Sequence, residues 1–336
     1  MLLVSSYYLA VGLLFITMLC WGSWANTQKL ATQKWPFQLF YWDYTIGIVL
    51  LALVFGLTLG SMGESGRSFL PDLAQANSSA YLSAFVGGVI FNIANLLLVA
   101  AIDIAGMAVA FPVGIGLALV IGVIDNYIKD SQGNATLLFM GVALVAAAIV
   151  LNALSYGRMS TAASTDAKMK RKGILFALLA GITMGFFFGF VASSTASDFV
   201  QPEAGKFTPY SAVFVFSIGI LISNFLWNTI FMYQPPKGEA VSYNDYFKLG
   251  TSRLHWIGIL GGAIWCVGMS LSILCSDVAG AAIAYGLGQG ATLVAAFWGV
   301  FVWKEFAGAD KQTKVLIALM FVAFIIGLGL IIFARF

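Results

Sequence analysis

The groups with chemistry to offer in this chain are polar residues set at helical spacing inside apolar sequence. Asn92 and Asn95 lie three apart in "VGGVIFNIAN", on one face of a helix and near its middle. Tyr285, Gln289 and Thr292 recur at i, i+4, i+7 in "AYGLGQGATLV", and Trp21, Trp24 and Gln28 form a third stripe. A carboxamide deep in an apolar helix is costly unless paired, so such groups face a bundle interior or a wet cavity. Aromatic faces beside amides suit a neutral, flat or ring-shaped polar solute such as a sugar or a nucleobase-like heterocycle. With Trp265 added, the candidate solute contacts are Trp21, Trp24, Asn92, Asn95, Trp265, Tyr285, Gln289 and Thr292. A strongly anionic solute would need a buried Lys or Arg, and none stands mid-helix. The competing reading is that the asparagines join helices by hydrogen bonds and the tryptophans fill gaps. Asn224 and Asn228 read as helix contacts or a gate.

One carboxylate, Asp43 in "FYWDYTIG", lies clearly inside an apolar run. It is either a proton carrier, because burial favours the neutral acid, or a fixed partner of Lys29 or Lys34. The single histidine, His255, falls at a helix start, which argues against a histidine relay. Glu305 reads as a solvated pair with Lys304. No phosphate-binding G-x-x-x-x-G-K-[ST] loop, metal-ligand cluster or Ser/His/Asp set is visible, so ATP drive, a metal, a cofactor and an enzymatic activity are not expected.

Positioning these residues falls to membrane helices. The chain is 60% hydrophobic and 9% charged over 336 residues, against roughly 25% charged in a soluble domain. Apolar runs of about 20 residues recur throughout, each long enough to cross the roughly 30 Å hydrocarbon layer. They predict an all-α membrane protein with ten transmembrane helices at 7–29, 36–60, 81–102, 104–128, 135–157, 173–198, 208–232, 254–276, 278–303 and 313–334. The first run, Tyr7 to Ala25, has no basic leader and no clear cleavage site, so it reads as a retained helix. Cys20, Cys266 and Cys275 lie in apolar runs and read as small core residues.

Lys and Arg set the expected orientation. Thirteen of the 17 fall in the loops after the first, third, fifth, seventh and ninth runs, including "KMKRK"; only Arg67, Lys129, Lys206 and Arg335 lie opposite. Both termini are therefore expected outside a bacterial-type inner (plasma) membrane. The net charge of +3 comes from loops and gives no support to nucleic-acid binding.

The chain also repeats itself. Gly87-Gly88 stands over Gly261-Gly262, and Asp103-Ile-Ala-Gly106 over Asp277-Val-Ala-Gly280, at a constant offset of 174 (277 − 103). "YTIGIVLLALVF" echoes "FSIGILISNFLW". The expected organisation is a first five-helix repeat over 1–157, a cytoplasmic linker at 158–172, and a second, inverted repeat over 173–336. An odd number of helices per copy turns the second one upside down, a design of secondary transporters in which a midplane site is exposed to either side in turn. Shared glycines read as scaffold, Pro112 as a kink, and Asp103 and Asp277 as caps of the helices that follow them. Polar residues break the repeat where an asymmetric solute would need them to.

"WGSWANTQKL", "WPFQLFYWDYTIG", "DIAGMAVAFPVGIGLALVIG", "TPYSAVFVFSIGI" and "GQGATLVAAFWGVFVWKE" resemble the drug/metabolite transporter superfamily, in particular its ureide permease branch and the related glucose/ribose porter and rhamnose–proton symporter families. The resemblance covers essentially the whole chain. It implies the five-plus-five inverted repeat, a central cavity, and proton-coupled import of a small neutral polar solute: a ureide, nucleobase, nucleoside or monosaccharide. It points to Trp21-Gly22, Trp24, Asp43 and Gln289-Gly290. Plant ureide permeases carry a nucleotide-binding-like central loop that this chain lacks. The rival expectations are a drug or metabolite exporter of the same fold and a membrane sensor without turnover.

Overall fold

In a computed structural model, which describes residues 1–31, 35–105, 110–159, 167–236 and 238–336, helices account for almost all regular structure. The chain runs through α1 (Tyr7–Ser23), α2 (Ala25–Ala31), α3 (Phe37–Leu57), α4 (Phe69–Gln75), α5 (Ser78–Ala105), α6 (Gly116–Lys129) and α7 (Ala135–Met159). It continues through α8 (Ala167–Ser194), α9 (Pro209–Tyr233), α10 (Tyr243–Leu249), α11 (Ser252–Ala279), α12 (Ala281–Gly288), α13 (Ala291–Phe297) and α14 (Lys311–Phe333). Among the described residues, nine helical stretches are long and apolar enough to cross a membrane, with α1–α2 and Ala281–Val302 each counting as one. The fourth expected span is helical from a π-turn at Phe111–Ile115 through α6; its residues 106–109 lie outside the described ones. Pro112 sits near the start of that π-turn.

Where α8 begins differs from expectation. It starts at Ala167, so the last residues of the expected 158–172 linker are helical, and 160–166 lie outside the described residues.

Close helix crossings follow from glycines. A Cβ on Gly262 of α11 would stand 1.9 Å from the Tyr44 carbonyl of α3, and one on Gly47 would stand 2.1 Å from the Ile259 carbonyl. The same crossing recurs between α5 and α9, where Gly88 would meet the Phe216 carbonyl at 2.1 Å and Gly219 the Phe85 carbonyl at 2.2 Å. Gly262 and Ile259 follow Gly88 and Phe85 by 174 (262 − 88; 259 − 85), and Gly219 and Phe216 follow Gly47 and Tyr44 by 172 (219 − 47; 216 − 44). Between α7 and α14 the approach is reciprocal: a Cβ on Gly141 would stand 2.7 Å from the Gly327 carbonyl, and one on Gly327 2.9 Å from that of Gly141. Lipid gives helices no hydrophobic reason to associate, so backbone-to-backbone approach of this kind supplies the packing. The short helices repeat too, since α10 spans the residues 174 places after α4 (243 − 69).

Asp277 does not cap α12. Its helix, α11, continues to Ala279, and Gly280 (φ 84) makes the turn with no side-chain cap, because only glycine takes that conformation freely. The Asp277 carboxylate instead accepts from the Phe199 amide at 3.5 Å. Asp103 lies in the last turn of α5, and the helix start it was expected to cap lies outside the described residues.

Candidate functional site

Three helix interruptions meet at one cavity. The chain turns at Trp24 between α1 and α2, Gln289-Gly290 separates α12 from α13, and the π-turn precedes α6. The cavity measures about 1040 Å³. Its deep wall is formed by Trp21, Phe91, Trp265 and Gln289, while Lys29, Asp103, Tyr156, Glu239 and Glu305 stand at its mouth. Among the described residues, every loop segment lining it belongs to the side rich in Lys and Arg, and nothing from 58–77 or 195–208 does. Behind Trp265 stand two further rings, Phe91 tilted against it and Phe216 stacked on it. Trp265 lies 4.4 Å from Phe91 and 6.0 Å from Phe216 by ring centroids.

Trp21 and Trp265 make the flat part of the wall, 5.8 Å apart and 15° from parallel. The Trp21 indole N–H donates to the Trp265 carbonyl at 3.2 Å, which fixes the ring. Two glycines leave room for it, since a Cβ on Gly268 or on Gly288 would lie 2.6 Å from the ring. Trp24 lines the cavity against Tyr44, at 4.7 Å.

Of the remaining expected contacts, the structure brings three to the cavity. Asn95 donates to the Tyr41 hydroxyl at 3.2 Å and faces the lumen. The Thr292 hydroxyl is bound to the Gln289 carbonyl at 2.9 Å, and both residues line the wall. The Gln289 carboxamide itself has no hydrogen-bond partner among the described residues, so its donors and acceptor are open to whatever enters.

Two expected contacts lie elsewhere. Asn92 is fully buried and donates to the Ser223 hydroxyl at 2.9 Å and the Ile220 carbonyl at 3.2 Å, which ties α5 to α9. Tyr285 is also fully buried, donating to the Ala118 and Met184 carbonyls at 3.2 and 3.3 Å. Three residues of helix separate Asn92 from Asn95 by about 60° around the axis, enough to aim one at α9 and the other at the lumen. We therefore expect Asn92→Ala to leave solute affinity unchanged while lowering stability by about 1 kcal/mol, the scale of a helix–helix hydrogen bond in membranes, measured by thermal unfolding in detergent.

Asp43 has partners that the sequence did not disclose. Its side chain is 1% exposed and lies off the cavity. The His255 imidazole approaches both carboxylate oxygens, at 2.9 and 3.0 Å, and the Tyr246 hydroxyl donates to one of them. Trp35 stands edge-on to His255 at 5.2 Å and closes the cluster. Burial, and then the Asp43 carboxylate, push the Tyr246 phenol above its ordinary range, so it remains a donor. His255 does fall at a helix start, as expected, and from there it joins a buried carboxylate site. Gly250 permits this, because a Cβ there would stand 2.3 Å from His255 Nε2.

At the mouth, Glu305 pairs with Lys29 at 2.6 Å and accepts from Tyr156 at 2.7 Å, rather than pairing with Lys304. Lys29 also lies 4.2 Å over the Trp303 ring. Asn224 and Asn228 bind α3, through Thr45 at 3.5 Å and the Gln38 carbonyl at 2.8 Å, as helix contacts.

Residues 40–172 and 166–334 match the ureide permease family profile, in two pieces that meet at the central loop. The chain belongs to the ureide permease family. Ureide permease 1 of Arabidopsis thaliana is 25% identical to it over 380 aligned positions, covering 96% of each chain. Ureide permease 2 of the same plant is 25% identical over 387 positions, covering 97% of this chain and 96% of its own. A probable ureide permease A3 of Vigna unguiculata is 30% identical over 173 positions, half of this chain. The 380 aligned positions exceed the 336 residues by 44 (380 − 336), so the Arabidopsis relative has segments that this ureide permease family member lacks. A solved crystal structure, 16% identical and covering 98% of this chain and 99% of its own, superposes with a TM-score of 0.60, a likeness of fold alone. The family consists of transporters rather than enzymes, and this member is an integral membrane protein.

Proposed function

We propose that the protein is a secondary transporter that imports a small, neutral, ring-shaped polar solute of the ureide or nucleobase kind by alternating access, coupled to protons. The observation that carries this reading is the lumen wall. A flat indole pair lies beside the open carboxamide of Gln289, and Asn95 and Thr292 complete the polar edge. A primary amide presents one acceptor and two donors, which matches the adjacent N–H and C=O groups of a cyclic urea or lactam. Among the described residues, the charged groups that line the cavity are Lys29, Asp103, Glu239, Asp245 and Glu305, none of them beside Trp21 and Trp265, so the indole wall favours a neutral guest.

Alternating access draws support from the paired glycine crossings and paired short helices. They fit ten helices in two inverted halves, 1–157 and 173–336, joined through 158–172, and kinship with the wider drug/metabolite transporter superfamily. With the basic side in the cytoplasm and both termini outside, the cavity opens inward. Asp43, with His255, is the proton site. Drive by an ion gradient rather than ATP fits a chain without a phosphate-binding loop.

The test is uptake of labelled allantoin, uracil and a monosaccharide into proteoliposomes with an imposed proton gradient. Saturable uptake of one ring solute is expected, with KM raised about tenfold in Gln289→Leu, the equivalent of one hydrogen bond of about 1.4 kcal/mol. No uptake of any of them, with transport of bulky apolar cations instead, would identify an exporter and overturn the reading. Binding without accumulation would identify a sensor.

A further inference from the structure

We propose that Asp43, His255 and Tyr246 form a proton-operated latch on the mouth of the cavity, and that its counterpart on the far side is built from groups that do not titrate near neutral pH. The proposal rests on the alternating-access reading above. On the near side, α10 forms part of the cavity mouth through Asp245 and Leu249, and Tyr246 ties that helix to Asp43 of α3. His255 ties the start of α11 to the same carboxylate. The latch therefore bridges a residue of the first half to two of the second.

On the far side the equivalent short helix is α4, and Asp72 occupies the place of Tyr246 (246 − 72 = 174). Asp72 is fully buried and also bridges the halves. It accepts from the Thr208 amide at 2.8 Å, the Thr208 hydroxyl at 2.9 Å and the Arg67 guanidinium at 3.0 Å. Arg67 goes on to the Pro202 and Lys206 carbonyls at 2.7 and 3.2 Å. An amide, a hydroxyl and a guanidinium keep their protonation state throughout the physiological range. The donors on Asp43 are an imidazole and a phenol, and histidine is the side chain suited to exchange a proton in the physiological range. One piece of the fold is thus written twice, and only the near copy is pH-sensitive.

The surroundings of Asp43 leave the imidazole as the responsive group. Among the described residues, the titratable groups facing the carboxylate are His255 from α11 and Tyr246 from α10, with Trp35 and Gly258 on other sides without charge; Lys34, an expected partner of Asp43, lies outside the described residues. The Asp43 side chain is 1% exposed and that of His255 27%, so of the two groups the imidazole is the one that meets water. Protonation there places a positive charge against both carboxylate oxygens, and an ion pair out of water is far stronger than in it. Acid on the cavity side accordingly tightens the latch, holds the mouth in the observed arrangement and slows the return step. A proton-coupled importer gains a brake that engages as the receiving side acidifies.

The test is hydrogen–deuterium exchange of residues 241–250 in the purified full-length protein without solute, at pH 8 and pH 6, corrected for intrinsic exchange. Protection is expected to rise about tenfold on acidification in the native protein and to stay flat in His255→Asn, which keeps a donor at the δ position but does not titrate. Tyr246→Phe is expected to lower protection of 241–250 at both pH values while leaving 69–77 unchanged; it carries the test if His255→Asn does not fold. Native protection that ignores pH, or an equal rise in His255→Asn, overturns the latch. A responsive latch in a protein that takes up none of the solutes leaves the latch standing and refutes the solute reading instead.

Discussion

Alanine at Gly262 is expected to lower stability by about 3 kcal/mol, the upper end of the cost of forcing extra volume into a packed interior. The added Cβ would stand 1.9 Å from the Tyr44 carbonyl and 2.8 Å from its carbon, and both are backbone atoms of α3. No rotamer change relieves a clash with backbone, so α3 and α11 must separate along their whole crossing. The separation also strains the Gly47 approach to Ile259 in the same interface. Gly88→Ala should lose as much, because its Cβ meets the Phe216 carbonyl in the equivalent crossing of α5 and α9. Gly12 and Gly329 have nothing within 4 Å, and alanine there should be neutral or slightly stabilising. Thermal unfolding and size-exclusion profiles in detergent distinguish the two groups. Native-like melting of Gly262→Ala would mean that the crossing is looser than the structure has it.

These crossings show what a single sequence can disclose. Among the described residues, nine of the apolar runs coincide with helical stretches long enough to cross a membrane, because hydrophobic length is a strong constraint in lipid, although α8 starts six residues before the expected 173 (173 − 167). The 174-residue offset located Gly88 and Gly262, the echo of "YTIGIVLLALVF" in "FSIGILISNFLW" holds their partners Gly47 and Gly219, and the 174 offset also covers α4 and α10, which lie between the expected spans. Short helices in connecting segments carry no apolar signature to read. The lumen wall was legible at Trp21, Trp24, Asn95, Trp265, Gln289 and Thr292. Tyr285 lies off the lumen, its hydroxyl bound to the Ala118 and Met184 carbonyls, although its turn of helix runs unbroken to Gln289. Asn92 failed because an i, i+3 pair spans enough of the circumference to face two neighbours. His255 could not be found by pattern at all: it meets a carboxylate 212 residues away, and only the α3–α11 crossing brings the two together.

The largest loss of transport is expected from Trp265→Ala, and comparing it with Trp21→Ala separates two jobs of the aromatic wall. Trp21 presents one face to the lumen, and its loss removes a stacking surface. Stacking of a heterocycle on an aromatic side chain amounts to about 1–3 kcal/mol, so Trp21→Ala should raise KM roughly 5- to 150-fold with accumulation still possible at high solute. Trp265 is 5% exposed and packs on Trp21, Phe91 and Phe216 at once. Its ring lines the cavity and rests on Phe91 and Phe216, and nothing described from 58–77 or 195–208 reaches the lumen, so we expect the ring to act as plug as well as wall. Removing it opens a gap in a seal that must hold whenever the mouth is open. An importer with such a leak cannot keep a gradient, whatever its affinity. Trp265→Ala should therefore abolish accumulation in proteoliposomes and release preloaded solute, while Trp265→Phe, which refills most of the gap, restores accumulation with a raised KM. Accumulation by Trp265→Ala at saturating solute would show that the seal lies elsewhere, and would leave Trp265 with a binding role alone.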